Sequence, residues 1–305
     1  MKRYQQQLIL LLAVIFSGSL AAQQAPHYTQ FMYNMNMVNP AYTGIKNGLA
    51  LGFLYRTQWI GFDGHPETYA FNVHSRVGDA MGVGLNAFKD QYGYTDQLSA
   101  NLNYSYTIAV GANNQLAMGI NAGIYKVGVD LTRLQAVDPG DPLLTKNINT
   151  YLFNYGVGLF FYSDKYYIGV SAPMLNTKDY AYEGTNWNQG NAIHYFITGG
   201  YVFDLNKNFK LKPHFMAYQA IGAPFALSLN ANLFMYDKLE LGVSYRLNDS
   251  FSGLINYAVS ENLRIGYAYD RTVSNMKLFG PNSHEVFLNY VIPYKKRAFM
   301  SPLYF

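Results

Sequence analysis

Gln115-Leu116-Ala117-Met118-Gly119-Ile120-Asn121-Ala122-Gly123-Ile124 decides the fold. Its even positions are Leu116, Met118, Ile120, Ala122 and Ile124, and its odd positions are Gln115, Ala117, Gly119, Asn121 and Gly123. Successive side chains of an extended strand point to opposite faces, so a period of two sets one row against an apolar phase and the other against a small, polar one. The same alternation returns where Leu239, Leu241, Val243 and Tyr245 face away from Glu240, Gly242, Ser244 and Arg246. Leu263, Ile265, Tyr267 and Tyr269 alternate with Arg264, Gly266, Ala268 and Asp270, and Val286, Leu288, Tyr290 and Ile292 with Glu285, Phe287 and Asn289.

Such segments number about fourteen, near 48–57, 67–77, 80–88, 95–109, 114–127, 151–162, 165–173, 191–204, 207–220, 224–236, 238–247, 251–260, 262–270 and 283–294. A tilted strand crosses a bilayer in roughly 9–11 residues, and bacterial barrels have an even strand number. The predicted fold is all-β: a transmembrane antiparallel up-and-down β-barrel of about 14 strands with an N-terminal plug-like segment. Connections after even strands are brief, as at Gly78-Asp79 and Ser163-Asp164, whereas those after odd strands include 58–66, 89–94, 128–150, 174–190 and 271–282. Only 221–223 and 248–250 break that pattern. Outer-membrane barrels have short periplasmic turns and long outer loops, so both termini are expected in the periplasm.

The chain opens with Lys2 and Arg3, an apolar run from Leu8 to Phe16, and the small residues Ser17 to Ala22. That order is a secretory signal peptide over 1–22. Residues 23–47 carry no Lys, Arg, Asp or Glu before Lys46, yet hold Tyr28, Phe31, Met32, Tyr33, Met35, Met37 and Tyr42. Too polar for lipid and too apolar for water, this stretch is expected to pack in the lumen of a barrel spanning 48–294, with 295–305 a C-terminal periplasmic tail.

Composition agrees with a membrane barrel. Charged residues make up 13% of the chain, against about 25% in soluble domains. Tyrosines number 29 against 2 tryptophans. Beyond the leader no stretch reaches the roughly 18 apolar residues of a spanning helix. There are no cysteines, which excludes disulfides and a lipid-modified cysteine. The 22 basic and 18 acidic residues nearly balance, so no nucleic-acid partner is expected. His27, His65, His74, His194, His214 and His284 show no metal-ligand spacing, and neither a metal nor a cofactor is inferred. Asp138-Pro139-Gly140-Asp141-Pro142 offers carboxylates for calcium but reads better as a double turn, because no further acidic ligand is near. Ser283 and His284 are strand neighbours on opposite faces, so they cannot act as nucleophile and base; no catalytic residue is assigned.

Several short motifs stand out in order: Pro26-His27-Tyr28-Thr29-Gln30-Phe31, Asn39-Pro40-Ala41-Tyr42-Thr43-Gly44, Tyr55-Arg56-Thr57-Gln58-Trp59, Gly82-Val83-Gly84 followed by Asp90 and Gly93, Ser171-Ala172-Pro173 and Ser283-His284-Glu285. Together they resemble the PorP/SprF family of the type IX secretion system, from about residue 26 to 294. Ala172 and Met174 depart from that pattern, which favours a bulkier residue and a histidine there. The resemblance implies a non-enzymatic outer-membrane component that assists export or surface attachment of a partner surface protein, often an adhesin and in many relatives linked to gliding. The implied partners are a secreted protein with a C-terminal secretion domain, other type IX components and outer-membrane lipid. Two other readings stay open: a passive channel related to fatty-acid transporters, which the same barrel and plug permit, and an outer-membrane enzyme.

The residues themselves suggest specific roles. Asn39-Pro40 fixes an extended residue before a constrained φ, and Gly44 permits a positive φ, making a rigid turn into the first strand. Trp59, just past that strand, is a candidate interface anchor. Tyr180, Tyr182 and Trp187 are candidate partner contacts, since aromatics dominate binding hot spots on loops. At the seam, alternation puts Arg56 and Glu285 in the lumen at equal height on the first and last strands, predicting an ion pair with Asp270 as a second acceptor.

Overall fold

Fourteen antiparallel strands close into one barrel in the computed structural model, which describes residues 27–61, 63–133, 147–176, 180–181, 188–189, 193–220 and 223–294. The first seven are β1 Gly48–Ile60, β2 Glu67–Val77, β3 Met81–Tyr92, β4 Thr95–Ala109, β5 Gln115–Val129, β6 Ile148–Tyr162 and β7 Tyr166–Ala172. After them come β8 His194–Tyr201, resuming as Phe203–Asp204, then β9 Phe209–Ala220, β10 Ala226–Met235, β11 Leu239–Arg246, β12 Ser250–Ala258, β13 Leu263–Thr272 and β14 Asn282–Pro293. Each strand pairs with its sequence neighbour, and β1 pairs with β14 from Gly48↔Pro293 to Thr57↔His284. Closure therefore leaves neither terminal strand with a free edge, which is the physical reason an open sheet is not found in lipid.

The pleat sorts the residues as the alternation predicts. Met118, Ile120 and Ile124 of β5 face outward, whereas Ala117 and Asn121 are buried inside. Outward rows are aliphatic in mid-strand, as with Leu102, Val157 and Leu241, and richer in tyrosine toward the rims, as with Tyr106, Tyr151 and Tyr257. Aromatic girdles flanking an apolar band are how a barrel matches hydrocarbon and headgroups. One connection differs from the expectation: β3 runs on to Tyr92, so the link to β4 is only Gly93-Tyr94 rather than 89–94. Asp90, expected in that connection, is a buried lumen residue of β3 that accepts from Thr68 Oγ1.

Residues 27–47 lie inside the barrel. They form three short turns of helix, Phe31–Tyr33, Met35–Val38 and Pro40–Tyr42, too short to be stable alone and held by the walls. Phe31, Met32, Met35, Val38, Ala41, Tyr42 and Ile45 are buried in one cluster with the inward Leu54, Phe160, Tyr167, Met216 and Phe287 of the barrel. The segment stands between two cavities: one at the end carrying the long loops, one at the end carrying the termini.

Candidate functional site: the plug and its seat

The plug is seated by a track of glycines on the inner wall. A Cβ on Gly82 would lie 2.2 Å from the carbonyl oxygen of Thr43, one on Gly119 2.3 Å from the nitrogen of Ala41, and one on Gly158 2.0 Å from Oδ1 of Asn39. Only hydrogen at these positions lets the plug backbone come so close. Asn39 accepts from the Ala41 amide at 2.9 Å, capping the turn Pro40–Tyr42, and its Nδ2 donates to Leu159 O of β6 at 2.9 Å. Gly44 has φ +74°, and its amide donates to Nδ1 of His74 at 3.0 Å. The rigid turn thus does more than lead into β1: it docks against six strands, β2 to β7, with Ser105 of β4 donating to Thr43 O at 2.6 Å and Asn39 Nδ2 to Val170 O of β7 at 3.5 Å.

Two charged clusters fix the other side of the plug. Arg56 and Glu285 are register partners across the seam. The guanidinium lies 3.1 Å from Glu285 Oε2 and 2.6 Å from Asp270 Oδ2, with all three side chains essentially buried. Glu285 also accepts the plug amides of Thr29 at 2.9 Å and Gln30 at 2.8 Å, while Thr29 Oγ1 donates to Asp270 at 2.7 Å and accepts from Arg56 at 2.9 Å. The barrel's closure and the plug's docking therefore share one set of charges. Such charges are tolerable out of water only because each is paired and hydrogen-bonded.

The second cluster centres on Glu240 of β11, which pairs with Lys212 of β9 and with Arg264 of β13 at 3.3 Å. Glu240 also accepts from the hydroxyl of Tyr33 and from Asn232. Tyr33 lies under both cations, with Lys212 Nζ 5.5 Å and Arg264 Cζ 5.4 Å from its ring, and stacks on Phe287 at 4.7 Å. Sequence reading did not single out this cluster. Its signal was Glu240 and Arg264 at inward positions near the terminus-side ends of their strands, but which strands would converge on Tyr33 depends on the plug's path.

Other predicted residues fall as follows. Trp59 is half-buried in a bulge of β1 with φ 52°, its amide donating to Ser283 Oγ at 3.1 Å. His284 points outward to Tyr267, away from Ser283. Tyr180 begins a short pairing, Tyr180–Ala181 with Asn188–Gln189. Tyr182, Trp187 and the Asp138–Asp141 turn lie outside the described residues. Burial, reinforced by Arg246 and Arg56, holds the His27 imidazole well below the usual histidine range, and the neutral ring contacts the Tyr218 hydroxyl. No group of metal-ligating side chains occurs among the described residues.

A charged, stoppered lumen inside fourteen strands defines the class: a plugged outer-membrane β-barrel. The family described as type IX secretion system membrane protein PorP/SprF matches residues 20–290, and the chain belongs to it. No curated protein matches. Among solved structures, the CymD monoaromatic hydrocarbon channel is similar with TM-score 0.50 at 14% identity, covering 85% of this chain and 93% of that one. A Pseudomonas aeruginosa FadL homologue gives TM-score 0.47 at 12% identity, over 88% and 95% of the two chains. Omp33 of Acinetobacter baumannii gives 0.45 at 9%, over 82% and 100%. At 14% identity the likeness to CymD speaks for the barrel fold alone.

Proposed function

We propose that this chain is a non-enzymatic outer-membrane partner of type IX secretion that helps export or retain one surface protein bearing a C-terminal secretion domain. The family match over residues 20–290 carries this reading. The stoppered lumen supports it physically, because a plug held by two buried charge clusters blocks the central path that a passive pore keeps open. Short links such as 78–80 and 163–165 against long ones such as 130–147 and 173–193 favour periplasmic termini and outward loops. The partner surface then lies on those loops, with Tyr180, Tyr182 and Trp187 as contacts and Trp59 at the outer interface. Gliding is the activity served if that partner is an adhesin.

A passive channel is the second reading, favoured by the cavity at the loop end, lined by Asn121, Phe196 and Tyr218 among others. Quantifying surface and released proteins in a strain lacking this chain separates the two. The proposal expects one large secreted protein to disappear from the surface and return on complementation. An unchanged surface proteome, with a defect in uptake of a small molecule instead, would overturn it.

A further inference from the structure

The cavity at the terminus end is lined from the plug by Asn34 and Lys46 and from the wall by His74 of β2 and Val291 of β14, and its described lining holds no Asp or Glu. Lys46 is the one Lys, Arg, Asp or Glu of residues 27–47. It is half-buried, and the charges that act on its ammonium, those of Arg264 and Lys212, are both positive. Because Lys212 and Arg264 already share the carboxylate of Glu240, three cations stand here against one acid. Burial and these like charges pull the Lys46 pKa down to about 7. At neutral pH the amine keeps its proton fully only when a negative group comes beside it.

Two neutral donors line the same space. Asn34 is 4% exposed; its Oδ1 accepts from Asn72 Nδ2 at 2.9 Å, while its own Nδ2 has no hydrogen-bond partner. A buried donor left without an acceptor is destabilising, so this one asks for an oxygen. His74 accepts the Gly44 amide on Nδ1 at 3.0 Å, which leaves its hydrogen on Nε2 as a further donor. An ammonium, an amide N–H and an imidazole N–H around one cavity fit an anion that accepts hydrogen bonds. Met32, Met35, Ala50 and Val291 make the adjoining wall apolar, which suits an anion carried on an aliphatic stem. One titrating amine beside neutral donors matches the single charge of a carboxylate better than the double charge of a phosphate.

We propose that the terminus-end cavity binds a carboxylate on an aliphatic stem, held by Lys46, Asn34 and His74. Lys46 and Asn34 belong to the plug and His74 to β2, so the bound carboxylate pins the plug to the barrel wall. A small organic acid and a glutamate side chain of a polypeptide share this chemistry.

Calorimetric titration of the purified full barrel in a neutral maltoside detergent tests the site. The probes are butyrate, its uncharged analogue butyramide, inorganic phosphate and the peptide acetyl-Gly-Glu-Gly-amide. Saturable binding of butyrate or of the peptide, with none of butyramide, is the expected result, and the tighter of the two binders names the source. Equal behaviour of butyrate and butyramide, or a preference for phosphate, overturns the proposal. Lys46→Met is expected to weaken binding about ten-fold or more and Lys46→Arg by no more than about three-fold. Full affinity in folded Lys46→Met overturns the site, folding being read from heat-modifiable gel mobility. Since the anion favours the protonated amine, affinity in the parent is highest below the Lys46 pKa of about 7 and falls as the pH rises through it. Lys46→Arg keeps its charge throughout and shows no such fall. His74, Tyr33, Tyr42, Lys212, Arg264 and Glu240 surround this space in both proteins, so the difference between the two profiles reports Lys46. Identical profiles overturn its role. If Lys46→Met does not fold, the comparison of butyrate with butyramide on the unaltered protein decides.

Discussion

Arg56 does two jobs with one guanidinium: it joins the first and last strands through Glu285, and through Thr29 it joins the plug to both. Replacing it with methionine leaves the Glu285 and Asp270 carboxylates buried without a cation, a change that typically costs roughly 3–5 kcal/mol. Because the plug is the more easily displaced partner, Arg56→Met is expected to unseat it. The chain has no cysteine, so Met32→Cys gives a unique reporter at a position 2% exposed. A maleimide reagent should label that thiol in the Arg56→Met background and not in the parent, and equal protection in both would contradict the role. The glycine track makes a sterically independent prediction. Gly82→Ala and Gly119→Ala should unseat the plug and expose the same reporter, while Gly253→Ala, whose Cβ meets nothing within 4 Å, should not. Labelling in all three variants alike would show that the track is not the seat.

At the level of elements, the strands were legible because lipid imposes a strict period of two that nothing else in the chain obscures. The seam pairing of Arg56 with Glu285 was legible for the same reason, since alternation fixes the face and closure fixes the neighbour. What could not be read was convergence. Lys212, Glu240 and Arg264 come from three different strands, and the hydroxyl of Tyr33 from the plug bonds all three. Gly119 was legible only as a small residue of the inward row and Gly82 only as part of a short motif; that the plug lies against them, and against Gly158 and Gly169, was not. The inward turn at Pro173, whose carbonyl accepts from Asn121 and Asn154 in the lumen, was also hidden, because Ser171-Ala172-Pro173 reads simply as a strand end. The loop bearing Tyr180, Tyr182 and Trp187 connects β7 to β8 in the sequence. Replacing all three with alanine is expected to leave a folded barrel that no longer retains its surface protein. Normal display of that protein on cells carrying the triple variant would remove these residues from the contact surface.

Taken as a whole molecule, the barrel separates two duties that many barrels combine. Its outer face and closure satisfy the membrane, and its lumen is given over to holding a segment of its own chain. A conduit would keep that lumen wet and open; here Phe31, Met32, Met35 and Tyr42 fill it with side chains that water does not favour. The loop end, by contrast, offers a cavity whose described lining holds no Asp, Glu, Lys or Arg. A stoppered barrel that serves a partner and a passive channel differ in one quantity, the current each carries. In planar bilayers the purified, unaltered protein is predicted to give no steady conductance, and the same protein lacking residues 27–47 to give a large one. A steady open current from the unaltered protein, unchanged when residues 27–47 are removed, would contradict the stoppered barrel.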